Sequence, residues 1–188
     1  LLVGLILHAL YKARIEGVAA TLPRVDAMLA DPDRDIRELW MEMVTYAHLG
    51  DRNHPVVGAA ARDMLDRPDE EAGSVLSTTK SYLALYRDPV VAQNVARSDF
   101  RIRDLMHRDH PVSLYVVTQP NDKARLKPLV RVLLNMVVRL LADKMAFANG
   151  RPVAHYRHRL LMMLDEFPSL SKLDILQDVT TDLQITSP

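Results

Sequence analysis

The chain has 188 residues, 48% of them hydrophobic, 26% charged and only 5% aromatic, which is enough for one good core or for a domain plus part of another. Twenty-four basic residues balance twenty-four acidic ones, so bulk charge gives no support for a dedicated nucleic-acid-binding domain with its basic excess. The lack of cysteine excludes a disulfide framework and a zinc–thiolate site, and no apolar run approaches the ~18 residues that span a bilayer. The chain is therefore expected to be soluble.

The opening "LLVGLILHALY" has neither a basic region before it nor a small-residue cleavage site after it, so it does not read as a signal peptide. Starting at Leu1 without methionine, the chain is expected to be a piece of something longer. Leu2, Leu5, Ile6, Ala9 and Leu10 form the apolar stripe of a first helix. In "DIRELWMEMVTYAHLG", Ile36, Leu39, Trp40, Met43, Val44 and Ala47 recur at helical spacing, with Trp40 in the core. Asp35 and Glu38 stand at capping-box spacing, and Gly50 is a candidate stop. A helix starting at "NHP", with Pro55 at its first position, turns Val57, Ala60, Ala61 and Met64 inward. "DEEAGSVLSTTKSYLALY" presents Ala72, Val75, Leu76, Thr79, Leu83 and Tyr86 and ends before Asp88-Pro89, where "DPVVAQNVA" begins another helix.

From His110 the texture changes. "PVSLYVVTQP" is short, β-branched and bounded by prolines, as a strand should be. A long helix follows through "ARLKPLVRVLLNMVVRLLADK", with Leu126, Leu129, Val130, Leu133, Val137, Leu140 and Leu141 on one face. The loop "ANGRP" breaks it, and "RLLMML" is apolar throughout, as a strand covered on both faces should be. Strand, helix, strand is a βαβ unit with a right-handed crossover, and one such unit cannot make a stable sheet alone. The expected fold is mainly α with a partial α/β unit.

Leu161, Met162, Met163 and Leu164 lead into Asp165 and Glu166. Four apolar residues and an acidic pair match the Walker B strand of a P-loop nucleotide hydrolase. There the Asp holds Mg²⁺ through water at the carboxyl end of the sheet, and the Glu polarises the attacking water. The competing reading is a strand ending in solvated carboxylates, or the first turn of a helix. The chain has no Gly-rich loop ending in Gly-Lys-Ser/Thr, so it carries the metal-and-water half of such a site without the phosphate half.

The string "LLMMLDEFPSLSKLDILQ" resembles the TraG/TraD family of type IV coupling proteins, the conjugation ATPases, whose Walker B segment typically reads "LDEFPxLGKLxxL". "LLVGLILHALY", "GSVLSTTKSYLALYRDPVVAQNVARSDFRIRDL" and "PVSLYVVTQPNDKARLKPLVRVLLNMVVRLL" look like successive stretches of the same family, so the resemblance covers about residues 1–177. It implies that residues 1–107 are a helical, substrate-recognising all-alpha domain. Residues 108–178 would be part of a RecA-like P-loop ATPase domain, and 179–188 a divergent tail. It also implies a parent with an N-terminal membrane anchor, assembled as a homo-hexamer at the cytoplasmic face of the bacterial inner membrane. Such a parent uses ATP and Mg²⁺ to pass relaxase-bound DNA to the type IV secretion channel. Asp165 would be the Mg²⁺ and nucleotide residue and Glu166 the catalytic one. In that family the phosphate loop lies upstream of the helical insertion, so this chain is expected to bind no nucleotide and to hydrolyse none by itself. The sequence departs from the pattern at Ser171, where the family has Gly, and at "DVTTDLQITSP".

Other features have blander readings beside the sharp ones. Arg125, Lys127 and Arg131 make the start of the long helix basic and are candidate contacts to phosphate, DNA or a neighbouring subunit, or a solvated face. His107/His110 and His155/His158 have a spacing that could grip a metal, but no accompanying carboxylate order matches a known site, so they are read as loop and strand-flanking histidines. Ser77, Thr78 and Thr79, next to Lys80, could sit at a substrate-docking surface; the competing reading packs Thr79 inside and leaves the others solvated. Two further identities stand beside the coupling-protein fragment: a nucleotide-independent helical interaction module, and a truncated reading frame without function.

Overall fold

The computed structural model describes residues 1–142, 146–148, 151–153, 156–165 and 170. It divides into two compact units, Leu1–Ser98 and Asp99–Pro188, each described by itself below.

The first unit is helical. Its helices are α1 (Leu2–Glu16), α2 (Leu22–Ala30), α3 (Ile36–Thr45), α4 (Pro55–Leu65), α5 (Asp69–Leu83) and, after a 3₁₀ turn at Ala84–Arg87, α6 (Pro89–Val95). Their starts follow local chemistry. Thr21, Asp35, His54 and Asp88 each accept a backbone N–H from the first turn that follows. Pro23, Pro55 and Pro89 sit where a missing N–H costs nothing. Asp69, Glu70 and Glu71 place negative charge at the positive end of α5. Gly17, at φ 68°, closes α1, and its N–H and that of Val18 both return to the Ala13 carbonyl. Gly50 does not stop α3 as expected. That helix ends five residues earlier, at Thr45, and Gly50 lies beyond it in the following loop.

The core is built chiefly by α1, α3 and α4. Leu5, Leu39, Met43, Val57, Ala61 and Met64 are all fully buried, and Trp40 is buried beside them, as its place on the stripe implied. Leu10, placed on the inner stripe by its spacing, is instead 48% exposed. Helix α1 is apolar nearly all round, so periodicity cannot choose its inner face. The choice is made at Gly4, where an added Cβ would stand 2.5 Å from the Ala60 Cβ. The two backbones cross at a point that leaves room for hydrogen only.

Two polar groups are taken into this core with their partners. On α2, Asp26 is 4% exposed and receives a bidentate pair of bonds from Arg87, at 2.8 and 2.9 Å. Replacing Arg87 with Ala strands the carboxylate. Because the guanidinium is itself 47% exposed, water can partly take its place. The expected loss is about 2 kcal/mol, below the range for a fully buried pair, and a urea melt would measure it.

The second group is His8, which is fully buried. The His54 N–H lies 3.4 Å from His48 Nδ1, which must accept it, so the His48 proton sits on Nε2. That proton is given to His8 Nδ1 across 2.8 Å, which leaves the His8 proton on Nε2, facing Glu42 Oε1 at 3.6 Å. Glu42 is also held by Lys12 at 2.6 Å and Arg34 at 2.5 Å. The bond between the rings therefore holds only while both are neutral, and His8 Nε2 has no hydrogen-bond partner of its own among the described residues. Burial, with the neighbouring cations, lowers the His8 pKa to about 4.

The second unit holds α7 (Asp104–His107), a 3₁₀ turn at Pro120–Asp122, α8 (Lys123–Ala142) and an antiparallel hairpin of β1 (Ala146–Ala148) and β2 (Arg151–Val153), with Ala146 opposite Val153. The stretch around "ANGRP" was expected to be only a loop, but its two flanks pair as strands. The strands expected at 111–120 and 159–164 are not formed: both segments are irregular. The 159–164 segment nevertheless keeps the burial period of a strand covered on one face. Leu160, Met162 and Leu164 are half-buried, whereas Leu161 and Met163 are 79% and 85% exposed. Tyr115 and Val117 are similarly bare, at 83% and 86%. Two isolated segments cannot support a sheet that needs further strands beside them, which accounts for the missing ladder.

Candidate functional site

Two clusters stand at opposite ends of the 159–164 segment. At its end, Asp165 lies exposed in a turn. The cleft beside it, about 560 Å³, is lined mainly by apolar side chains of the two irregular segments and of α8, among them Leu114, Val116, Leu133, Val137, Leu160 and Leu164. Asp165 borders this cleft. Glu166, His155, Ser171 and the tail lie outside the described residues. Arg131 reaches from α8 to the Leu170 carbonyl at 2.5 Å and so ties the helix to the chain just beyond the acidic pair. Arg125 is engaged with Asp122 at 3.0 Å, and Lys127 is half-buried on the same helix. The three basic residues are thus on one helix, and Arg131 is bonded beside the acidic segment.

As a holder of Mg²⁺-nucleotide, this end offers one described carboxylate. No group of three or more acidic, His or Cys side chains among the described residues could hold a metal. Asp165 suits a water-mediated contact to a hard cation, while the oxygen ligands and the phosphate cradle that would complete the site are not among these residues.

At the start of the segment, two stretches far apart in sequence are joined. The N–H groups of Arg157 and His158 both donate to the Met106 carbonyl, at 3.0 and 3.1 Å, and the His158 Nε2–H donates to the Arg108 carbonyl at 3.1 Å. The junction spends backbone acceptors and leaves His107, Arg108, Asp109, His110 and Arg157 exposed around a depression of about 470 Å³. Arg157 pairs with Asp109, and Arg108 with Asp104 at 3.4 Å. Sequence reading treated the histidines as two separate pairs, and nothing in their spacing signalled that His158 reaches the backbone beside His107. In the first unit, Thr79 is buried and bonds the Val75 carbonyl, while Ser77 and Thr78 are exposed on the same helix. No helix among the described residues is long and apolar enough to cross a membrane.

A family model described as "Type IV secretory system Conjugative DNA transfer" matches residues 1–183. The chain is 77% identical to a conjugal transfer protein TraG of Escherichia coli over 178 residues, which is 95% of this chain and 28% of that protein. It is 29% identical to protein VirD4 of Agrobacterium fabrum over 143 residues, 73% of this chain and 20% of that one. A VirD4 of Rhizobium radiobacter is 33% identical over 101 residues, covering 54% and 14% respectively. The chain thus spans less than a third of the length of the curated relatives it matches. No solved structure matches it.

Proposed function

Because the chain belongs to the type IV secretory system conjugative DNA transfer family, we propose that it is a portion of a coupling ATPase that recruits relaxase-bound DNA and drives it toward the secretion channel. On this reading, Asp165 holds Mg²⁺ through water and Glu166 polarises the attacking water, in a RecA-like domain completed by further strands. The observation that carries it is the half-covered apolar segment 159–164 ending at an exposed Asp165. An apolar strand delivers a metal-binding carboxylate to a sheet edge in this way, and its bare side is where further secondary structure would pack. ATP, Mg²⁺, a homo-hexameric ring and a place at the cytoplasmic face of the inner membrane belong to the same proposal. A second reading, a helical docking module that works without nucleotide, is favoured by one observation: Leu1–Ser98 encloses a core of its own.

A chimera separates the two readings. The matching stretch of the E. coli relative is replaced by residues 1–177 of this chain, and conjugative transfer is counted. Transfer should persist and should fall at least about 100-fold with Asp165→Ala, the scale expected when a metal-holding group of a phosphoryl-transfer site is lost. Transfer indifferent to Asp165→Ala would leave only the docking module. The 188-residue chain alone should release no phosphate from radiolabelled ATP, since it has no Gly-rich loop ending in Gly-Lys-Ser/Thr to cradle the nucleotide's phosphates.

A further inference from the structure

We propose that the basic end of the second unit, centred on Arg108 and Arg157, is a binding site for the phosphodiester backbone of nucleic acid. The stretches 101–110 and 157–159 hold five arginines and three histidines against two aspartates, in a chain whose overall charge is zero. The fold gathers them by the backbone bonds from 157 and 158 to Met106, so the concentration of charge arises from tertiary structure. The site does not depend on the nucleotide reading above. Arg157 stands beyond the far end of the 159–164 segment from Asp165, eight residues away in the sequence, or roughly 26 Å of extended chain.

The chemistry fits a phosphodiester better than other anions. Guanidinium forks match phosphate oxygens two at a time, and the cations of this cluster are all arginine or histidine, with no lysine. Asp104 and Asp109 hold Arg108 and Arg157 in place, but the arginine side chains remain 60% and 62% exposed and the Asp109 side chain 80% exposed. Pairs so open to water are worth little, and a phosphate can replace the carboxylate at small cost. Tyr156, 38% exposed and next to Arg157 in the chain, offers a ring face on which a base could stack, which an anionic lipid headgroup would not use.

The test is fluorescence anisotropy of a labelled 20-nucleotide single strand, and of its duplex, with the full 188-residue chain as salt is raised from about 50 mM. Each phosphate contact contributes a little under one unit to the log–log salt slope. The double variant Arg108→Gln/Arg157→Gln should weaken binding about tenfold and lower the slope by about 1.5. Both side chains are mostly in solvent, so the variant should fold, which circular dichroism would check. The variant Arg14→Gln/Arg62→Gln removes the same charge from exposed positions of the first unit and should leave affinity and slope unchanged. Equal weakening by the two double variants would reduce the effect to bulk charge and overturn the site. So would absence of binding at low salt. Vesicles of phosphatidylglycerol form the third arm: capture by them through the same two arginines, without DNA binding, would make the site one for lipid.

Discussion

Acidification from pH 6.5 to 4 should destabilise Leu1–Ser98 by roughly 3 kcal/mol, the equivalent of moving one imidazole pKa from 6.5 down to about 4 on folding. The sign follows from proton counting. Between the two values the unfolded chain binds a proton at His8 that the folded chain refuses. The contribution to stability is therefore complete above pH 6.5 and is lost as pH falls through 4. The physical cause is first burial, and then geometry. A proton added to His8 Nδ1 would face the proton that His48 Nε2 already donates, while the charges of Lys12 and Arg34 are already gathered at Glu42. The pKa of His48 is lowered as well, chiefly by burial, so it acts in the same direction. The carboxyl of Glu42, pushed up by burial but held down more strongly by Lys12 and Arg34, adds a further loss below its ordinary range. Thermal unfolding followed by circular dichroism across this range is the measurement. His8→Leu should start about 1–2 kcal/mol less stable at neutral pH, with His48 short of an acceptor, and should show a much flatter profile from 6.5 to 5. An undiminished slope in that variant would assign the titration to another group.

Gly4→Leu should cost about 3 kcal/mol or more, against the rule that glycine inside a helix is itself a weakness. Even Gly4→Ala, which by helix propensity alone would gain about 1 kcal/mol, should lose about 1–2 kcal/mol net. Its new methyl would stand 2.5 Å from the Ala60 Cβ, and a Cβ can retreat only if its helix does. Separating α1 from α4 to make room would loosen Leu5, Val57 and Ala61, all fully buried. Urea unfolding would read the effect, and Ala60→Gly combined with Gly4→Ala should recover most of it. Lack of recovery would mean that the helices do not cross at this point.

Much of the helical unit is legible in the sequence because its signals are local. Asp35, Pro55, Asp69 and Asp88-Pro89 announce helix starts through groups within one turn, and α3, α4, α5 and α6 begin where they say. Helix α2 escapes the same reading. With nine residues and only Val25, Asp26 and Leu29 buried, it has too few apolar repeats to register, although Thr21 and Pro23 are a sound start signal. Its buried Asp26 runs against the pattern because the partner, Arg87, is 61 residues away. His8 is invisible for the same reason: a histidine on an apolar helix acquires its meaning from His48 and Glu42, which only the fold brings near. Strand propensity in 111–120 and 159–164 is written in β-branched and apolar residues, but a ladder is a property of neighbours. Asp165 could be singled out because an apolar run ended there. The meeting of Arg157 with Asp109, across 48 residues, left no trace in either stretch.

The bare row of Tyr115, Val117, Leu161 and Met163 makes the second unit thermodynamically open-ended. A partner that covers those side chains binds the folded form and not the unfolded one, so it stabilises the unit by an amount that grows with the logarithm of its concentration. Folding and association then become one equilibrium. The free energy of this half of the chain is in that sense shared property, fixed jointly by its own sequence and by whatever stands against it. Substitutions along the row that look neutral in isolation would show their effect only in company. The first unit, with Leu5, Leu39, Met43 and Met64 already sealed from water, has no such dependence in its core.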